Sequence, residues 1–265
     1  MSMRHLLALL AALSVSAVIS AADVSTQMTV RGKEIYSQDF LNELPPYTGK
    51  PKGFASGFQG WLIHGKGPES KGGMWKILEG RFQGHENVQV KHPATASYGF
   101  LFKNVVIQCE LRMEDVALDK DPEHGAKYRY IQLRTTDDKD YICSVSLSPG
   151  GFGIQKDDND HDGPDKPEPL ARKNTPLKPG EWNAVLFEIL GDELTVTVNG
   201  HVLTGRHENI ARQKHSIMFV AGTEGSVRNL KIWEATESPE WSMNRAVIAA
   251  KQTPLAPAKK PEAKK

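Results

Sequence analysis

Two sets of residues in this sequence have the types and spacing to do chemistry. The first is the acidic run at 156–166, KDDNDHDGPDK. Asp158, Asp160 and Asp162 fall at alternate positions and Gly163 follows, which matches the opening half of a calcium loop, D-x-D-x-D-G. Position 12 of such a loop is Pro169 rather than Glu, so the run is not an EF-hand. The three aspartates with His161 remain candidates to hold Ca²⁺ or another divalent ion. The alternative is a solvated turn, for which Asp, Asn and Gly are the usual residues.

The second set lies on three runs that alternate with period two. Val105, Ile107, Cys109, Leu111 and Met113 share one side, and Gln108, Glu110, Arg112 and Glu114 the other. Ile131 and Leu133 oppose Tyr128, Tyr130, Gln132 and Arg134. Cys143, Val145 and Leu147 oppose Ser144 and Ser146. If these strands are neighbours, their polar sides form one surface holding two tyrosines, two arginines and Glu110. Aromatic rings cover the C–H faces of sugars, and Arg and carboxylate groups bond their hydroxyls. The competing reading is an ordinary solvated sheet face whose charges pair across strands.

The elements that would position these residues read as β throughout. In GEWNAVLFEILGDELTVTVNG, 180–200, Val185, Phe187 and Ile189 alternate with polar or opposite-facing residues. Gly191-Asp192 turns the chain, and Leu194, Val196 and Val198 resume the alternation. Asn199-Gly200 favours a type I′ turn, since both central residues take positive φ. Further strands are expected at 34–40, 87–90, 100–113, 128–134, 141–147, 152–155, 216–221 and 227–233, with a hairpin at 74–82 turning near Glu79-Gly80. Residues 53–73 are Gly-rich and read as loop. Many short strands and no long helix predict an all-β, concanavalin A-like jelly-roll sandwich of two antiparallel sheets.

The ends differ from the middle. Residues 1–22 have a positive start at Arg4, an apolar run from Leu6 to Ile19, and small residues at Ser20 and Ala22, which predict a secretory leader and an exported protein. The apolar run is short for a membrane span, and no later segment is long and apolar enough to be a transmembrane helix. The sandwich is expected over 23–240. Residues 241–265 are expected to be a disordered tail rich in Lys, Pro and Ala, with an anionic cell envelope as one partner it could touch weakly. The 33 basic and 32 acidic side chains nearly cancel, and no basic patch marks the domain itself, so nucleic acid is not an expected partner. Cys109 and Cys143 are either a disulfide, which export would permit, or two separate core thiols.

The order WKILEGRFQG, FKNVVIQCELRME, YIQLR, DYICSVSL, LKPGEWNAVLFEILGDELTVTVNGHVL and SVRNLKIWEA resembles the 3-keto-disaccharide hydrolase domain family, formerly a domain of unknown function, of the concanavalin A-like lectin and glucanase superfamily. The resemblance covers roughly residues 34–235 and implies a jelly-roll sandwich, export, and cleavage of glycosides oxidised at C3. It implies a base, a group that stabilises an enolate and an acid for the leaving group. Arg134 matches the Arg that ends the family's strand. On this reading Glu110 is the base candidate, Arg134 holds sugar hydroxyls or the enolate, and His161 is the acid or a metal ligand. Arg112, Tyr128, Tyr130 and Gln132 bind substrate. The family's Glu and Gln near the start of the next strand are replaced by Tyr141-Ile142-Cys143-Ser144. That departure favours the alternative, a non-catalytic glycan-binding, lectin-like module of the cell envelope. His85 beside Glu86 is a further acid–base candidate. No H-E-x-x-H, G-x-S-x-G or phosphate-binding Gly loop occurs, so protease, lipase and nucleotide chemistry have no motif here.

Overall fold

The alternating runs are strands in a computed structural model that describes residues 24–44, 60–64, 73–87, 92–117, 129–137, 141–158, 166–253 and 255. Fifteen strands and one α-helix are present among them: β1 Thr29–Gln38, β2 Gly60–His64, β3 Met74–Leu78, β4 Arg81–His85, β5 Ala94–Phe102, β6 Val105–Met113, β7 Tyr130–Thr136 and β8 Tyr141–Ser148; then β9 Gly151–Lys156, β10 Glu168–Lys173, β11 Asn183–Leu190, β12 Glu193–Val198, β13 His201–Arg206, β14 Lys214–Gly222, β15 Glu224–Glu237 and α1 Trp241–Lys251. They form two antiparallel sheets. The first runs β13-β12-β11-β6-β15-β4-β3, with β1 also paired to β15, and the second runs β10-β9-β8-β7-β14-β5-β2.

Between the sheets lies one apolar layer. The inward residues of β6 and β11 (Ile107, Cys109, Leu111, Val185, Phe187) meet Ile131, Leu133, Val145 and Phe219 from the second sheet. The apolar residues that alternate along β6, β7, β8, β11 and β12 are those turned into this layer. At one end an aromatic group closes the sandwich, where Trp61 packs on Phe82 at 5.1 Å and donates from Nε1 to the Tyr36 hydroxyl at 2.8 Å. The expected hairpin turns are present. Asn199 and Gly200 have φ of 48° and 80°, and Glu79 and Gly80 have 49° and 71°.

Besides β2, which falls inside the run 53–73 expected to be loop, three expectations change. The single strand expected over 100–113 is two strands, β5 and β6, which belong to different sheets. The chain crosses at Lys103-Asn104, where the Asn104 side chain accepts from the Gly191 backbone N–H at 2.9 Å. Second, β6 is not beside β7. It pairs with β11 and β15, while β7 pairs with β8 and β14. Leu111 and Ile131 therefore point into the same core from opposite sheets, and the polar side of β6 faces away from that of β7. Third, residues 241–251 form a helix rather than the start of a structureless tail. Trp241 and Ile248 are buried against Met28, and Trp241 donates from Nε1 to Glu193 at 2.9 Å.

The outer side of the first sheet is closed by the chain itself. Glu188, fully buried, accepts from the backbone N–H groups of Gln27, Met28 and Thr29 and from the Thr29 hydroxyl, which pins residues 27–29 across β11. Cys109 and Cys143 are both free thiols, buried on opposite sheets. Burial pushes both upward in pKa, Cys143 to about 12.

Candidate functional site on the outer face of the second sheet

Register places two cross-strand rows on this face. One runs Val220, Gln132, Ser146, Gly153, Arg172, and the other Met218, Arg134, Ser144, Gln155, Pro169. Met218 and Val220, both buried, thus flank Arg134 and Gln132, with buried Ser144 and half-buried Ser146 and Gly153 on the other side.

Arg134 is the centre. Its guanidinium lies over the Tyr141 ring, 4.3 Å from the centroid. Its Nη2 donates to Gln132 Oε1 at 3.1 Å, and its Nε stands 3.2 Å from Asp157 Oδ2. Asp157 is 2% exposed, and its other oxygen accepts from Gln155 Nε2. The strand β9 explains this: Gln155 and Asp157 are two apart on the side that faces Arg134, and the Asp157 N–H still bonds the Ile142 carbonyl at 3.0 Å. Arg134 Nε and Asp157 Oδ2 are close enough to pair as charges but lack hydrogen-bond alignment. Ser144 Oγ and Asp158 Oδ1 are also buried without a hydrogen-bond partner. Ser144 Oγ on β8 and Asp158 Oδ1 just past β9 are thus two buried atoms that lack a partner beside the Arg134–Asp157 pair.

A second polar pair adjoins the start of β7. Tyr130 opposes Gly222 on β14, and its ring occupies the space where a side chain at 222 would stand: a Cβ there would fall 2.2 Å from Tyr130 Cε1. Burial first, then the nearby Glu86 carboxylate, raise the Tyr130 hydroxyl above its usual pKa, and Arg134 opposes them. Glu86 is buried and accepts from the Thr223 N–H at 2.9 Å. Tyr130 therefore sits between a carboxylate and a guanidinium.

The other expected residues fall elsewhere. Glu110 and Arg112 lie on the outer side of the first sheet, across the core from Arg134. Glu110 is held by Arg228 in a two-pronged ion pair at 2.8 and 3.0 Å and also accepts from Asn229. Arg112 pairs with Glu114 and lies 4.4 Å from the Trp182 ring centroid. This separation removes Glu110 as a base for chemistry at Arg134 and Arg112 as a contact in the same site. Tyr128, Asp160, His161 and Asp162 lie outside the described residues. Among the described residues no group of three or more His, Cys, Asp or Glu stands together to hold a metal, and no step below is routed through one. Tyr141, Asp157, Gln155 and Glu86 enter the site without having been assigned a place there by the sequence reading. The signal for Asp157 was available, since Gln155–Asp157 continues the alternation of β9 into the acidic run.

No family model matches the chain, and no curated protein matches it either. Solved structures do. The carbohydrate-binding module CBM66 from Bacillus subtilis is similar over 66% of this chain and 96% of that one, with a TM-score of 0.50 and 12% identity. SCLam, a non-specific endo-beta-1,3(4)-glucanase from family GH16, is similar over 80% of this chain and 96% of that one, with a TM-score of 0.50 and 7% identity. Identities this low define architecture, and the architecture is a concanavalin A-like jelly-roll sandwich.

Proposed function

We propose that the outer face of the second sheet binds carbohydrate around Arg134, and that the chain is an exported protein acting on 3-keto-disaccharides or related 3-keto-glycosides. The observation that carries the binding reading is the Arg134 cluster: a guanidinium over the Tyr141 ring, flanked by Gln132, Gln155 and Asp157, with Ser144 Oγ and Asp158 Oδ1 lacking partners beside half-buried Ser146 and Gly153. A sugar ring meets an aromatic edge, forked donors and acceptors on one surface. The structural neighbours named in words above include a carbohydrate-binding module and a glucanase, which fits this reading. The resemblance to 3-keto-disaccharide hydrolases supplies the reaction.

In that reaction a base takes the C2 proton next to the C3 ketone. The electron pair rests on O3 as an enolate and then expels the C1 oxygen, which takes a proton as it leaves. Water adds at C1 and C2 regains its proton. Arg134 is the group to hold the enolate oxygen. With Glu110 on the far sheet, Glu86 is the carboxylate that adjoins Tyr130, and the pair can pass protons. The test is release of free sugar from a 3-keto-disaccharide, with and without chelator, by the wild type and by Glu86→Gln and Arg134→Ala. Release no faster than without protein removes the enzyme reading.

Binding without turnover is the second reading. It is favoured by two observations: Asp157 is already committed to Arg134, and Glu86 to the Thr223 N–H. On a glycan array this reading gives retention that weakens in Tyr141→Ala, with no product from any bound sugar.

A further inference from the structure

Where the edge strand β10 of the second sheet meets β13 and α1, these elements line a cavity of about 280 Å³. Val202, Leu203 and Ile248 contribute apolar lining, and Arg172, Lys173 and Lys251 contribute three cations. No Asp or Glu lines it. None of these cations is in an ion pair among the described residues. The last turn of α1 contributes only about half a negative charge from its carbonyls, so the cavity is net positive.

A second feature adjoins it. Trp241 and Ile248 turn one side of α1 to the sheet. Met243 (65%) and Val247 (53%) are exposed one turn apart, and Val247 and Lys251 carry that line onto the rim of the cavity. Leu255, just beyond the helix, is also exposed at 41%. Three of the large exposed apolar residues therefore fall within 13 positions that also border the cationic cavity. Residues 256–265, which follow, carry Lys259, Lys260, Lys264 and Lys265 against a single Glu262.

We propose that the exposed side of α1, with the Arg172–Lys173–Lys251 cavity beside it, docks on an anionic phospholipid surface. A lipid phosphate enters the cationic cavity, and Met243 and Val247 press into the boundary between headgroups and chains. Cations around exposed apolar residues are the arrangement that binds such an interface without spanning it. An acidic polysaccharide would match the charges but would leave Met243 and Val247 facing water. Arg172 ends the row that runs through Gln132, three strands away, and neither Arg134 nor Tyr141 lines the cavity, so Arg134→Ala separates the two readings.

Sedimentation of the full chain with vesicles tests the proposal. Vesicles of phosphatidylcholine with about 30% phosphatidylglycerol should pull the protein down, pure phosphatidylcholine should not, and raised salt should release it. Arg172→Glu with Lys251→Glu should weaken vesicle binding at least about tenfold, because each basic group near such a surface contributes about fivefold. Met243→Ser with Val247→Ser should also weaken binding, while Arg134→Ala should leave it unchanged. All four substituted positions on this surface are solvent-facing or line the rim, and urea unfolding checks that each variant is folded. The proposal is overturned by equal binding to neutral vesicles or by no binding to anionic ones. It is also overturned if both double variants bind as the wild type does while removal of residues 256–265 abolishes binding, or if only polygalacturonate is retained.

Discussion

Replacing Arg134 by alanine is expected to unmask a buried charge rather than merely remove a surface one. Three contacts go: the ion pair to Asp157, the stacking on Tyr141 and the hydrogen bond to Gln132. Stacking contributes about 1 kcal/mol. The larger effect comes from what remains, because Asp157 is 2% exposed and keeps only the Gln155 side chain as a bonded partner. Stranding one member of a buried pair costs about 3–5 kcal/mol. Asp157→Asn removes the stranded charge instead, and Arg134 keeps Tyr141 and Gln132, so that variant should lose only about 1–2 kcal/mol. The double variant Arg134→Ala with Asp157→Asn should therefore lose about 2–3 kcal/mol less stability than the sum of the two single losses. Urea unfolding of the four proteins measures the cycle. Additive losses, or a cost below about 1 kcal/mol for Arg134→Ala, would refute the buried pair and with it the pre-set guanidinium on which the binding reading stands.

Other expectations follow from single contacts. Gly222→Ala places a Cβ 2.2 Å from the Tyr130 ring. It should cost about 1–3 kcal/mol and weaken glycan retention, read by urea unfolding and array binding together. Glu188→Ala strands the N–H groups of Gln27, Met28 and Thr29. It should cost about 3 kcal/mol and speed hydrogen exchange at those three amides first. Glu110→Gln loosens the pair with Arg228 but lies on the far sheet, so sugar binding and turnover should not change; a fall in either would restore Glu110 to the site. Lys214 is fully buried and donates to the carbonyls of Lys103, Ile210 and Arg212, and burial pushes its pKa down to about 8 from 10.5. Below pH 8 the ammonium is charged in both states. Between 8 and 10.5 only the unfolded chain holds the proton, so stability rises with pH across that window, by about 3 kcal/mol. The difference in unfolding free energy between wild type and Lys214→Met, followed from pH 7 to 11, should show that rise; a flat difference would refute it.

How far the sequence reaches is clear from particular strands. The meander β11–β12–β13 was legible up to its second turn because β12 sets Leu194, Val196 and Val198 toward the core and Glu193, Thr195 and Thr197 the other way, so residue type alternates although both sides are covered. β5 was not legible before Phe100, since eight of its nine residues are buried and leave no contrast between faces. β10 and β13 lie at sheet edges, where partial burial blurs the pattern. The candidate site failed for a different reason. Period two separates inside from outside, but a sandwich has two outsides, and nothing in a strand's own pattern says which one it presents. Glu110 and Arg134 were each correctly outward and are on opposite walls. Tyr141 reaches Arg134 only through the irregular pairing near Thr136, a detail of register that no alternation encodes.

That ambiguity resolves once the uses of charge are compared between the two outer faces. On the first sheet each buried carboxylate holds the chain to itself: Glu188 binds residues 27–29, Glu193 takes the Trp241 indole and Arg245, and Glu110 takes Arg228 and Asn229. These bonds fasten residues 27–29 and α1 onto the sheet, and Arg245 Nε and Thr197 Oγ1 on that side are themselves buried without a hydrogen-bond partner. On the second sheet the Arg134 cluster binds residues of its own strands, Asp157 Oδ2 is held by the Arg134 charge, and Ser144 Oγ and Asp158 Oδ1 are left without a hydrogen bond. Burying such atoms costs about 1–3 kcal/mol each when nothing bonds them. A ligand that supplies hydroxyls there recovers that cost on binding, and a neutral polyol does so without adding a charge to the site. The same comparison sets α1 apart, because its unpaired groups are full cations beside exposed apolar side chains, and they call for an anion at an interface rather than a sugar beside Arg134.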